Sequence, residues 1–285
     1  MTLGRTAPKP VEGADEPATA GTLPQLRPAI AGWIAAVTRS GVARSGPLSL
    51  AAFAIFAALL LLPSLLLGVS QTDSSGYNYV WAKQFAALTL SGQAYPRRLP
   101  DSFGGLGSPA FIFYPPLAFF VDALVNLVTL GAVPVPYRLA LAATLLLWLS
   151  GTAMQAWLRG TVRPAVAFAA ALAYMAAPFH LTDHYWRGAF AEFSSYAVLP
   201  ILPLAIRAAA REWRGVAGVA VSFALLILAH LPTALLTAVT VLPIYALYAA
   251  VRRGRLSSAL LALLRCGLGA VLGLGLAGRS TSCRP

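Results

Sequence analysis

Long apolar runs alternate with short polar or basic turns along most of this chain. Each run is about 20 residues long, which is the length that a helix needs to cross a hydrocarbon core of about 30 Å. The pattern therefore predicts an all-α, polytopic bundle of about seven membrane-spanning helices. The seven runs are residues 48–69, 139–158, 164–181, 189–206, 216–231, 233–251 and 258–277.

The composition agrees with this pattern. Of the 285 residues, 58% are hydrophobic and only 11% are charged, and the mean hydropathy is +0.72, whereas a soluble domain has about 25% charged residues. A β-barrel would show short segments of alternating hydrophobicity, which this sequence lacks. The net charge of +12 comes without a nucleic-acid-binding motif, and the basic residues lie between the apolar runs. We therefore expect membrane lipid, and no nucleic acid, as a partner.

The two ends of the chain differ from its apolar middle. Residues 1–46 are rich in Pro, Ala, Gly and charge, so we expect a disordered tail, and its five Lys and Arg residues favour the cytoplasmic side. Residues 47–278 form the predicted transmembrane domain. Residues 279–285 form a short tail without a helix cap, and we expect the natural protein to continue beyond it.

A long polar interval follows the first run. Within it, Tyr77, Val80, Trp81, Phe85 and Leu88 recur at helical spacing, which predicts an amphipathic helix. Two interpretations stay open. The helix lies in the membrane interface with its aromatic residues at headgroup level, or it packs on its own domain.

The segment 104–120, GGLGSPAFIFYPPLAFF, is apolar but carries glycines and prolines that a regular spanning helix would avoid. If it does not cross, thirteen Lys and Arg residues lie inside and five outside, with Arg265 and the C-terminal tail left aside, which satisfies the positive-inside tendency. Asp122 and Asn126, directly after it, would also be costly on a lipid-facing span. We therefore predict a re-entrant or juxtamembrane helical segment, and residues 70–138 become a long extracytoplasmic loop.

This topology gathers unusual polar residues on the outer face. They are Asp73 after the first span, Arg97, Arg98 and Tyr114 in the long loop, His180, Asp183, His184, Arg187 and Glu192 in HLTDHYWRGAFAE, and His230 in a turn between two spans. Together, carboxylates, arginines and histidines suit chemistry on a lipid-linked phosphate substrate. A carboxylate deprotonates an acceptor hydroxyl, and cationic groups or a metal neutralise the departing phosphate.

Each of these residues also has a simpler structural interpretation. Asp73 is placed to cap the amphipathic helix, and Arg187 with Glu192 makes an ion pair that holds the loop. His180, Asp183 and His184 have i, i+3, i+4 spacing, which fits either a metal site or ordinary packing. The Arg97–Arg98 pair serves as interfacial anchors, or binds phosphate through its fork geometry. His230 fits a hydrogen-bonded interface histidine.

Three stretches carry a family resemblance: YPRRLPDSFGGLGSPAFIFYPPL, FHLTDHYWRGAFAEF and LAHLPTAL. They resemble bacterial membrane proteins described as 6-pyruvoyl-tetrahydropterin synthase-related, over about residues 48–255. A loop with Asp73 after the first span, followed by Tyr-Pro-Pro-Leu at 114–117, also resembles the type-C glycosyltransferase (GT-C) superfamily. Pterin synthase activity itself is not expected, because that enzyme needs a soluble fold with clustered histidines.

The resemblance to GT-C enzymes implies a function. It implies a GT-C-like helix bundle in the bacterial plasma membrane that transfers a sugar from a polyprenyl-phosphate carrier. It also implies Asp73 and Asp183 as the catalytic carboxylates. Around the substrate we expect the other residues that the topology places on the same face: Arg97, Arg98, Tyr114, Arg187, Glu192 and His230. A divalent metal is possible as cofactor, and no other is expected. A lipid or polysaccharide transporter or flippase, and a non-catalytic membrane scaffold, remain as alternatives.

Overall fold

The computed structural model describes residues 46–251 and 256–281. Within these ranges the chain is helical, and no β-strand forms apart from two isolated bridges. Of the predicted tail 1–46, residues 1–45 lie outside the described residues, as do the basic cluster 252–255 and residues 282–285. The all-α prediction is confirmed for the described part.

Fourteen helices follow one another in the described residues. They are α1 (Gly46–Leu60), α2 (Leu62–Leu67), α3 (Ser75–Leu90), α4 (Ala110–Phe113), α5 (Leu117–Val128), α6 (Val135–Leu158), α7 (Pro164–Met175), α8 (Pro178–Thr182), α9 (Phe190–Val198), α10 (Ile201–Ala209), α11 (Arg214–Ala229), α12 (Leu231–Val239), α13 (Val241–Val251) and α14 (Leu256–Thr281). A 3₁₀ turn, Ser102–Gly105, and a π-helical turn, Asp183–Arg187, complete the set.

Four helical stretches in the described residues are long and apolar enough to cross a membrane. They are Val135–Leu158, Pro164–Arg187, Leu231–Tyr248 and Ser257–Gly278, and they correspond to four of the seven predicted spans. Two other predicted spans form shorter apolar helices, α1 and α11. The run 189–206 is divided into α9 and α10, because Pro200 removes a backbone donor between them.

The segment 104–120 is broken into pieces. The 3₁₀ turn, α4 and α5 follow one another, with Pro115 and Pro116 between the last two. With 12 residues, α5 is about 18 Å long at about 1.5 Å per residue, well short of a hydrocarbon core of about 30 Å. None of these pieces can cross a bilayer alone, and the side on which the segment lies stays a prediction.

The predicted amphipathic helix is present as α3, and it packs on its own domain. Phe85 is fully buried and lies edge-on against Phe111 of α4, with ring centroids 4.7 Å apart. Phe111 in turn contacts Phe119 of α5 at 4.9 Å. Tyr77 and Val80 of the predicted apolar stripe are exposed. The aromatic core holds α3, α4 and α5 together.

A buried ion pair joins α5 to α6. Arg138 donates from Nε and Nη2 to the two carboxylate oxygens of Asp122, at 2.8 and 2.9 Å, and from Nη1 to Asn126 at 2.7 Å. Its Nη2 also donates to the carbonyl of Ala82 in α3. The polar residues that would be costly in lipid are therefore paired inside the protein.

A second core holds the C-terminal helices together. Leu202, Ile206, Val219, Phe223 and Cys266 from α10, α11 and α14 form its centre. Arg265 interrupts the last apolar run, but it is buried, with its guanidinium over the ring of Trp213 at 4.8 Å and Nη1 donating to the carbonyl of Ala209. The Arg265 guanidinium thus lies at the C-terminus of α10, where the helix dipole favours a positive charge.

Candidate functional site

The span Pro164–Arg187 ends in a π-helical turn rather than in a free loop. The helix continues through α8 into Asp183–Arg187, and Gly188 terminates it with a left-handed φ of 62°. Turns of this kind inside helices are rare and are frequent at functional sites. The sequence predicted a loop over residues 180–192, whereas the chain is helical from Pro178 to Arg187.

Both oxygens of Asp183 are engaged. The carboxylate is fully buried, the hydroxyl of Tyr196 donates to one oxygen, and Nη1 of Arg187 donates to the other. The same Nη1 donates to Glu192 at 2.7 Å, so the predicted Arg187–Glu192 ion pair is present. Two carboxyl groups thus share one guanidinium at this end of the span.

The predicted metal ligands turn to separate partners. His180 is stacked on Tyr196 with ring centroids 4.1 Å apart, whereas Nε2 of His184 lies 2.8 Å from the hydroxyl of Ser64 in α2. Asp183 is engaged as described above. In residues 46–251 and 256–281, no group of three or more His, Cys, Asp or Glu side chains is arranged to hold a metal ion, so these three residues do not fit one.

Asp73 lies exposed on the loop before α3, and this loop is attached to the Asp183 turn. The backbone N–H of Ser74 donates to the carbonyl of Arg187 at 3.2 Å, and Nδ2 of Asn78 donates to the carbonyl of Gly188 at 2.6 Å. The capping interpretation of Asp73 is wrong, because Ser74 occupies the N-cap position of α3 and makes no side-chain cap bond.

Gly188 makes this junction possible. A Cβ at this position would come within 2.2 Å of the Thr72 hydroxyl and within 3.2 Å of the Ser75 nitrogen. Its φ of 62° is also one that side-chain-bearing residues rarely adopt. A glycine is therefore required both by the backbone angle and by the close approach of the Asp73 loop.

Two adjoining cavities open beside this junction. The deeper one has a volume of about 20 Å³, enough for about one water, and Asn78, Asp183 and His184 line it. The other has a volume of about 190 Å³ and is lined by Ser70, Gln71 and Tyr79 among others. Both share Ser75, Val69 and Leu139 as walls. The sequence reasoning missed Ser75, Asn78 and Tyr79, although the polar run QTDSSGYNY pointed to this stretch.

Tyr114 and His230 lie within electrostatic reach of Glu192. Burial raises the pKa of the Tyr114 phenol, a backbone hydrogen bond at Ala191 opposes this, and the Glu192 carboxylate adds to it. Burial lowers the pKa of His230, while the carboxylates of Glu192 and Asp183 act to raise it. His230 Nδ1 lies 2.7 Å from the Thr233 hydroxyl, as expected for a hydrogen-bonded histidine.

Arg97 and Arg98 lie around a different part of the long loop. The guanidinium of Arg97 is over the Tyr95 ring at 5.2 Å. Arg98 is exposed and lines a cavity of about 430 Å³ together with Leu106 and glycine backbone. The residues that line this cavity include none of those around the two cavities beside Asp183. The predicted outer-face set thus divides into a carboxylate-rich cluster and an arginine-bearing loop.

In the described residues, a helical fold with four apolar stretches of spanning length, and with Asp122 and Asn126 paired to Arg138 inside the bundle, has the construction of an integral membrane protein. A family model described as "6-pyruvoyl-tetrahydropterin synthase related domain; membrane protein" matches residues 111–276, more than half of the chain. The chain belongs to this family. No curated protein and no solved structure matches it. The matched region includes Tyr114, Asp183, Arg187, Glu192 and His230, and it begins after Asp73.

Proposed function

We propose that this protein is a GT-C-like transferase that moves a sugar from a polyprenyl-phosphate carrier to an acceptor hydroxyl. The reaction takes place at the extracytoplasmic face of a bacterial plasma membrane. The observation that carries the proposal is the junction between the exposed Asp73 loop and the Asp183 turn, beside two adjoining cavities. The family membership supports the membrane setting.

Asp73 is the proposed catalytic base. Its carboxylate is exposed and takes the proton of the acceptor hydroxyl. The hydroxyl oxygen then bonds to the anomeric carbon of the sugar, while the bond from that carbon to the phosphate oxygen breaks. The carrier phosphate leaves with the electron pair.

Asp183 is assigned a positioning role in this proposal. Its carboxylate is fully buried, with Tyr196 on one oxygen and Arg187 on the other, so it is placed to hold these neighbours rather than to meet an acceptor. It fixes Arg187, whose carbonyl accepts the hydrogen bond from Ser74 next to Asp73. Glu192 holds the same guanidinium from the other side. The network therefore sets the position of the Asp73 loop.

Arg97 and Arg98 are the proposed phosphate-binding residues. In the Asp183–Arg187–Glu192 network, two carboxyl groups already engage the one guanidinium, so it attracts a phosphate poorly. Arg98 is exposed beside a cavity of about 430 Å³, and guanidinium groups bind phosphate with good geometry. The neutral polar walls of Ser70, Gln71 and Tyr79 suit the sugar, and Tyr114 and His230 border Glu192.

Dependence on a divalent cation remains a prediction, which chelation in the transfer assay checks.

The test is a transfer assay on membranes that contain the full-length protein and a labelled polyprenyl-phosphate sugar. We expect Asp73→Asn to lower the rate by about 10²–10⁴-fold, the usual contribution of a general base. Asp101→Asn is the matched control, because Asp101 is also an exposed acid of the outer segment, and we expect it to retain the rate. No transfer by the wild type, or equal rates for all three proteins, would overturn the proposal.

A transporter or flippase is the second candidate, because some helices are broken. The run 189–206 is interrupted at Pro200, and the stretch Leu231–Tyr248 is divided at Thr240. Transporters use such breaks at their substrate sites. Movement of the lipid-linked sugar across the membrane of proteoliposomes, without transfer of the sugar to an acceptor, would favour this function. Asp73→Asn and Asp183→Asn variants that insert normally and leave the cellular phenotype unchanged would favour a scaffold.

A further inference from the structure

The loop from Leu99 to Ser108, here called the 99–108 loop, is held in a fixed shape. The backbone N–H of Leu99 donates to the carbonyl of Ser108 at 2.8 Å, and the reverse bond is 2.9 Å. Gln84 of α3 fastens the loop from below, donating to the Ser102 hydroxyl at 3.0 Å and accepting from the Asp101 N–H at 2.9 Å. The loop is therefore closed at its base and attached to the helix beneath it.

The tip of this loop presents large apolar side chains outward. Leu106 is 90% exposed and Phe103 is 66% exposed. Full burial of such side chains is worth about 1.5–3 kcal/mol each, so water is an unfavourable environment for both. Ile112 and Phe113 of α4, which follow the loop, are also exposed, and they extend the apolar surface.

The backbone at Phe103 is strained in order to hold this arrangement. Its φ is 53°, in the left-handed region, where a bulky residue pays about 1–3 kcal/mol and the surrounding structure must impose the conformation. A glycine would relieve that strain, and two glycines follow directly in the chain. Phe103 thus has a strained backbone and an exposed ring, and this combination indicates that the ring contacts an apolar environment outside the protein.

Basic residues flank the apolar tip. Arg97 and Arg98 precede the loop, and the segment 97–108 contains one acidic residue, Asp101. Apolar side chains with arginines behind them match the layers of a lipid leaflet, in which acyl chains lie below the headgroup phosphates. The spanning helices already place the chain in a bilayer, so phospholipid lies next to this loop.

We propose that the 99–108 loop inserts Phe103 and Leu106 into the outer leaflet of the membrane, with Arg97 and Arg98 at the level of the headgroup phosphates. The occupant of this surface is phospholipid. The inference concerns how the outer segment is anchored, and it holds whether or not the protein transfers sugars. It fixes the height of α3 and of the Asp73 loop relative to the membrane surface.

Spin labels read this depth directly. The full chain carries Cys266→Ala and Cys283→Ala, and a nitroxide is attached at Phe103→Cys or at Leu106→Cys, one at a time, so that the other apolar residue stays in place. Gln93→Cys is the matched control, because Gln93 is exposed in a polar turn of the same outer segment. Each protein is reconstituted in phosphatidylethanolamine–phosphatidylglycerol vesicles, and collision with oxygen is compared with collision with a water-soluble nickel chelate.

We expect labels at 103 and 106 to collide more with oxygen than with nickel, and the label at 93 to show the reverse. Labels at 103 and 106 that are as accessible to nickel as the label at 93 would overturn the proposal. Labels shielded from both reagents would also overturn it, since a second copy or another protein would then cover the loop. Circular dichroism of each labelled protein verifies that the helices are intact.

Discussion

Asp73 and Asp183 carry the same functional group in opposite environments. Asp73 is exposed, whereas Asp183 is buried with Tyr196 and Arg187 on its oxygens. A buried carboxylate persists only with such partners, so its role is to hold neighbouring groups in place. The exposed carboxylate is the one that remains available to a substrate.

Gly188 is the residue on which the position of Asp73 depends most. We predict that Gly188→Ala destabilises the protein by about 1–3 kcal/mol beyond the cost of placing an alanine at a left-handed φ. The additional loss arises because the new Cβ must displace Thr72. Gly104→Ala is the matched control, with a similar φ of 67° and open space around its Cβ. The measurement is the free energy of unfolding of both variants in mixed micelles.

Equal losses of stability for the two alanine variants would mean that the contact with Thr72 does not matter. In that case the junction between the Asp73 loop and the Asp183 turn would not be tightly packed. The proposed transferase also predicts that Gly188→Ala loses transfer while Gly104→Ala keeps it.

Several residue contacts lay beyond the reach of sequence reasoning. The spacing of His180, Asp183 and His184 placed them on one helical turn, which is correct in register, but spacing does not identify partners. His184 meets Ser64, 120 positions away, and a contact at that separation follows only from how α2 packs. The Arg187–Glu192 pair was predictable because its members are five residues apart.

At the scale of elements, proline decides where the apolar runs break. Hydropathy alone predicted one helix over 189–206, whereas Pro200 divides it, and the first run is divided near Pro63. The helical spacing of the aromatic and aliphatic residues correctly predicted the helix α3, since the 3.6-residue period is local. It did not predict the buried face, because Tyr77 and Val80 are exposed while Asn78 and Gln84 are buried. The pattern could not show whether the apolar residues of α3 contact lipid or protein, because both environments are apolar.

The pairing of α5 with α6 depends on Arg138. We predict that Arg138→Met costs about 3–5 kcal/mol, because Asp122 is left buried without its partner. The double variant Asp122→Leu with Arg138→Met should lose less than the single variant, since no unpaired charge remains. Unfolding in mixed micelles measures both, and a double variant that is less stable than Arg138→Met would contradict this account of the contact.

At the scale of the whole molecule, one claim supports the rest: the segment 104–120 stays on the outer face. It is divided into a turn, α4 and the 12-residue α5, and each of these pieces is shorter than a hydrocarbon core of about 30 Å. The proposed topology keeps the N-terminus in the cytoplasm and places the Asp73 loop, the Asp183 turn and His230 outside. It also places the basic turns near Arg163 and Arg211 inside, as the positive-inside tendency favours.

Cysteine accessibility in intact cells tests this claim most directly. Gln93→Cys and Ser257→Cys place single thiols at exposed positions before and after the central spans, in a chain that also carries Cys266→Ala and Cys283→Ala. A membrane-impermeant maleimide is predicted to label position 93 from outside, and position 257 only after the cells are opened. Labelling of both positions from the same side would contradict the proposed topology, and with it the proposed outer-face site.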